Sequence, residues 1–119
     1  MITKNLFDYR TPGSTSFVGR PQGEEVRNKL KMELLDSNDE QVELIIPKDT
    51  TSFNPSFFLG LLYTSIVKLG LDGFKKKYLI KIEAEDENLK HAISKNIEDG
   101  FRNAINSINK NDGLRAFGF

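Results

Sequence analysis

A glycine-rich loop ahead of a helix can hold a phosphate on its backbone amides, and the segment from Pro12-Gly13-Ser14 to Gly19-Arg20 stands ahead of a helical pattern. It matches neither the GxxxxGKS/T nor the GxGxxG arrangement, and the Lys that would reach the outer phosphates is missing. Glu24 and Glu25 are carboxylates, but neighbours on a helix point about 100° apart and do not converge on one substrate, so they suit a helix N-terminus better than acid–base work. His91 has no second His or Cys near it and falls on a charged flank, the setting of a solvated surface residue. Lys75-Lys76-Lys77 is a short basic run that reads as a solvated face. Ser56 follows Asn54, a favoured N-cap, and Pro55, a favoured first helical residue, which places its hydroxyl in a first helical turn. A dianionic phosphate would be tolerated there, and so would a hydroxyl that only satisfies free amides.

Composition narrows the chemistry further. The 119 residues include no Cys and one His, which excludes thiolate nucleophiles, disulfides, Cys-ligated zinc and any site needing two imidazoles. No metal or cofactor is expected. Seventeen Lys and Arg balance seventeen Asp and Glu, so no global basic field favours nucleic acid. With 38% hydrophobic and 29% charged residues the chain suits one globular domain spanning 1–119. Met1 to Phe7 carries no apolar stretch behind its Lys, and no segment approaches a membrane span in length, so a cytoplasmic protein without membrane contact is expected.

The elements that would position these residues follow from periodicity. Ile2 to Phe7 reads as a short strand, and the Pro- and Gly-rich stretch up to residue 20 as a loop. Pro21 opens a helix whose stripe is Val26, Leu30 and Leu34, ending near Asp36-Ser37-Asn38-Asp39. Gln41 to Ile46 is apolar and β-branched, a buried strand. The second helix begins at Asn54-Pro55 and is apolar on nearly every side from Phe57 to Leu69, with Gly70 ending it. Tyr78 to Glu83 reads as a strand. Leu89, Ile93, Ile97, Phe101, Ala104, Ile105 and Ile108 then share one helical stripe, from near Asp86 to near Asn109. Asn111-Asp112-Gly113 should break that helix and leave an apolar tail over 111–119. This order predicts a small α/β domain: a mixed sheet with some parallel pairing, three helices, and Leu44, Ile45, Ile46, Leu79, Ile80 and Ile82 at its centre. Within it Val42 should be less buried than Ile45.

Three segments together, Asp8-Tyr9-Arg10-Thr11-Pro12-Gly13, Gly19-Arg20-Pro21-Gln22-Gly23-Glu24-Glu25-Val26-Arg27 and Asn54-Pro55-Ser56-Phe57-Phe58, resemble the bacterial STAS-like domains of unknown function, distant relatives of the anti-sigma-factor antagonists. The resemblance implies a STAS-like fold and a non-enzymatic regulatory module that binds another protein. In the antagonists a serine at the start of the second helix is phosphorylated by a histidine-kinase-like ATPase. By position Ser56 matches it, although Asn54-Pro55 stands where the relatives carry an Asp. The interaction surface so implied takes in Pro12, Gly13, Gly23, Glu24, Asn54, Phe57 and Phe58. The partner is such an ATPase or a second copy of the chain. The alternative from another class is a small nucleotide- or phosphoryl-ligand-binding domain using the loop from Gly13 to Gly23.

Overall fold

Val42, Leu44 and Ile46 are buried while Glu43 and Ile45 between them are only half covered, so strand β3 (Val42–Ile46) sends alternate side chains to a core and to an open face. The computed structural model describes the backbone of residues 1–116 and the side chains of residues 1–110. Strand β1 (Ile2–Asn5) lies on one side of β3 and β5 (Tyr78–Ile82) on the other. Both pairings are parallel, with Ile2 beside Val42 and Val42 beside Tyr78. Crossovers of one hand that always advance in the same direction lay their helices on one face of the sheet. That corrects the expected centre: Leu79 is 41% exposed and Ile45 half-buried, whereas Val42 is fully buried.

The first crossover contains two helices, making four in all among the described residues rather than three. Helix α1 (Arg20–Leu30) ends because Lys31 turns left-handed (φ 56°), and α2 (Met32–Ser37) restarts from it. The turn shifts the helical phase. Leu34, expected on the buried stripe, is therefore 68% exposed, and Met32 and Leu35 take the interior positions.

Helix α3 (Pro55–Lys77) begins as the sequence indicates, with Asn54 as N-cap and Pro55 in the first turn. Gly70 (φ 75°) leaves the helical conformation and ends the first helical segment, as the sequence indicates; a second segment resumes across the kink and closes with Lys75, Lys76 and Lys77, where cations suit the carbonyl end. Its apolar circumference is covered by α1 on one side and α4 (Glu87–Ala116) on another, with Phe57, Phe58, Leu61, Leu62 and Ile66 buried. Among the described residues α3 is the one helix long and apolar enough to cross a membrane, contrary to the sequence expectation; 44% of its most apolar stretch is buried inside the fold.

Helix α4 starts beside Asp86, whose side chain accepts from Leu89 N–H at 3.0 Å, and continues through Asn111-Asp112-Gly113 to Ala116. The expected break does not occur. One helical Gly is unfavourable by only about 1 kcal/mol, too little to stop a helix that already has its other residues in register. Phe117 to Phe119, the end of the expected tail, lie outside the described residues.

Candidate functional site

Two short strands, β2 (Ser16–Phe17) and β4 (Ser52–Phe53), pair in parallel and tie the Pro-Gly loop to the start of α3. Thr51 N–H donates to Thr15 O at 2.8 Å, Asn54 N–H to Phe17 O at 3.0 Å, and the Thr15 and Thr51 hydroxyls stand 2.8 Å apart. Beneath them Phe17, Phe53 and Phe57 pack ring to ring with centroids 5.1 to 5.9 Å apart. Asn96 of α4 donates to Phe53 O at 2.9 Å. The loop is thus pinned by both backbone and aromatic contacts.

Asn54 is the hinge of this arrangement. Its Oδ1 accepts from Phe57 N–H at 2.9 Å, capping α3, and from Gly19 N–H at 3.2 Å. Ser56, at the second position of the helix, is exposed, so the capping role that a first-turn hydroxyl could have taken belongs to Asn54. Pro12 and Gly13 (φ 81°) are exposed on the loop, and Glu24 is exposed on α1 beside Arg20 at 3.8 Å.

The remaining residues of the sequence-derived surface do not reach it. Phe57 and Phe58 are fully buried, because the turn that begins at Asn54 directs them into the core. Gly23 is buried where α1 crosses α3: a Cβ there would stand 2.3 Å from Phe57 O and 2.8 Å from Leu61 N. These three are packing residues.

For a phosphate, the loop has little to offer. Gly19 N–H is engaged by Asn54 and Gly23 N–H by Gly19 O at 3.2 Å. At the carboxyl ends of β1, β3 and β5, where α/β sheets bind ligands, an open hollow of about 570 Å³ is lined by Asn5, Phe7, Lys48 and three carboxylates, Asp49, Glu83 and Glu85. Arg10 forks onto Asp49 with two bonds of 2.7 Å and lies 4.4 Å from the Phe7 ring centre. The shared hydrogen bond holds the Asp49 carboxyl below, and the Arg10 guanidinium above, their ordinary ranges. A wall of carboxylates repels phosphate.

The tightest convergence of polar side chains lies elsewhere. Arg27 of α1 donates to Asp36 at 3.0 Å, to Ser65 Oγ at 2.7 Å and to Leu61 O at 2.9 Å, while Ser65 Oγ donates to Asp36 Oδ1 at 2.7 Å. The Tyr78 hydroxyl also donates to Asp36 Oδ1. All four side chains are buried. Burial, and then the bond to Asp36 and its charge, push the Tyr78 phenol well above its ordinary value. The network joins α1, α2, α3 and β5. Sequence reading missed it, since positions 27, 36, 65 and 78 share no period; Ser65 within an apolar run was the one local sign.

His91 is exposed on α4, as its charged flank implied. Among the described residues no cluster of three or more His, Cys, Asp or Glu side chains could hold a metal ion. Comparison with known protein families, curated proteins and solved structures returns no match.

Proposed function

We propose that this chain is a non-enzymatic, cytoplasmic protein-interaction module of the STAS-like kind, recognised through the surface around Ser56 and switched by phosphate on that serine. The observation that carries the reading is the exposed Ser56 hydroxyl on a helix start already capped by Asn54 and pinned to the Pro12-Gly13 loop. A phosphate added there would meet the positive end of α3, leave the cap in place and set about two negative charges on the recognition face. Its natural reader is a histidine-kinase-like ATPase, the partner class of the anti-sigma-factor antagonists. The burial of Arg27, Asp36, Ser65 and Tyr78 supports a binding role over a reaction, because the best-connected polar groups spend their hydrogen bonds on one another inside the fold.

Titration calorimetry against purified ATPases of that class from the same genome tests this. Wild-type and Ser56→Ala chains should bind equally, and Ser56→Asp should bind at least about tenfold more weakly with its melting temperature nearly unchanged. Equal affinity of all three chains, or no binding by any, would sink the reading.

A further inference from the structure

Strand β5 is the last in the order β1-β3-β5, and no strand among the described residues pairs with its outer edge. Glu83 N–H donates to Ile46 O at 3.0 Å, so by alternation the N–H and C=O of Ile80 and Ile82 point away from β3, toward that edge. The Tyr78 N–H, which shares their direction, is closed by Phe74 O at the end of α3. Beside the edge runs an apolar groove of about 310 Å³, floored by Ile80 and Ile82 and walled by Ile97 and Phe101 of α4. It continues along α4 past Glu98 and Arg102 to Ile105. Lysine is the common guard of exposed edges, and β5 carries one, Lys81, on the open sheet face.

In an antiparallel pairing of two β5 strands about Ile80, Leu79 of one copy stands opposite Lys81 of the other, while Lys77, in the last turn of α3, keeps its ammonium on Asn38 O and Glu40 O of its own chain and stays out of the seam. The lone Lys81 therefore meets an aliphatic side chain, not a second cation directly across. The two-fold axis passes level with Ile97 and Phe101, since these line the same groove as Ile80. The two α4 helices then run antiparallel on one side of the sheet, with Glu98 of each copy facing Arg102 of the other, whose guanidinium already holds Asp99 of its own chain at 2.9 Å and so sits between two carboxylates in the dimer.

We propose that this edge and groove are the interface of a two-fold homodimer, in which two β5 strands join the sheets into one of six strands and the two α4 stripes close over the seam. The interface is independent of the Ser56 surface. On the α4 side it covers the half-buried Ile80 and Phe101 beside the buried Ile97, and on the open sheet face the exposed Leu79.

Sedimentation equilibrium of the full chain at about 100 μM should give the mass of two chains. Glu98→Arg alone and Arg102→Glu alone should each weaken the dimer at least about tenfold by setting like charges face to face, and the double exchange should restore it to within about threefold. Amide exchange at Ile80 and Ile82 should slow as the chain is concentrated into the dimer, because these two N–H groups are the ones that cross the seam. A strict monomer at that concentration overturns the proposal, as does a dimer that leaves the Ile80 and Ile82 amides exchanging freely or that both single variants leave unchanged. A monomer that instead captures an added extended peptide along β5 would assign the edge to strand addition by another protein and overturn it equally.

Discussion

Arg27 and Asp36, nine residues apart, meet at 3.0 Å in the interior because Lys31 between them adopts a left-handed turn that folds α2 back against α1. The Asp36 carboxylate also accepts from Ser65 and Tyr78, so one buried anion gathers three elements besides its own. A buried ion pair alone is weak support for a fold, but removing one partner strands the other charge in a low dielectric.

Asp36→Ala is accordingly expected to lower the unfolding free energy by about 3 to 5 kcal/mol, since Arg27 is left buried without its counter-charge. Tyr78→Phe removes one donor and leaves Asp36 served by Arg27 and Ser65, at a loss of about 1 to 2 kcal/mol. Urea unfolding of both variants tests the order; a Tyr78→Phe chain weaker than Asp36→Ala would contradict it.

Alkaline pH should reach the same network. The native state holds the Tyr78 phenol above its ordinary value near 10, so the protonated form is preferred when folded. The contribution is complete below pH 10 and declines as pH rises beyond it, because the unfolded chain ionises first and draws the equilibrium toward itself. Absorbance titration at about 295 nm should show a tyrosine step that appears only with unfolding and is missing from Tyr78→Phe.

At the crossing of α1 and α3, Gly60 has no room for a methyl group: a Cβ would lie 2.2 Å from Arg20 O and 3.0 Å from Glu24 N. Both neighbours are backbone and cannot turn aside. Gly60→Ala should destabilise by about 3 kcal/mol or more as the helices are forced apart. Gly73, whose nearest neighbour would be Leu69 Cβ at 3.6 Å, offers the contrast: Gly73→Ala should stabilise by about 0.5 to 1 kcal/mol through helix propensity. Thermal melts of the pair would refute this if both moved in the same direction.

The one-sided sheet reverses an order that the sequence suggested. Val42→Asp would bury an unpaired carboxylate under the helices and should leave little folded protein, while Ile45→Asp, on the half-open face, should fold with a loss of about 1 to 3 kcal/mol. Circular dichroism of the two variants decides it, equal damage being the result that would count against the assignment of faces.

What the sequence by itself determined was local: the alternation of strands and helices, the start of α3 at Asn54-Pro55, the stripe of α4 and the solvation of His91. Each rests on propensity, capping or period within a few residues, which the chain carries wherever it goes. Only the tertiary structure decided that Leu34 leaves the core when Lys31 turns, that Gly23 and Gly60 let two helices touch, and that Phe57 and Phe58 are packing residues. It alone brought Arg27, Asp36, Ser65 and Tyr78 together. Burial and pairing of groups distant in sequence are properties of the folded arrangement, since desolvation and steric exclusion depend on which elements meet and have no signature in the spacing along the chain.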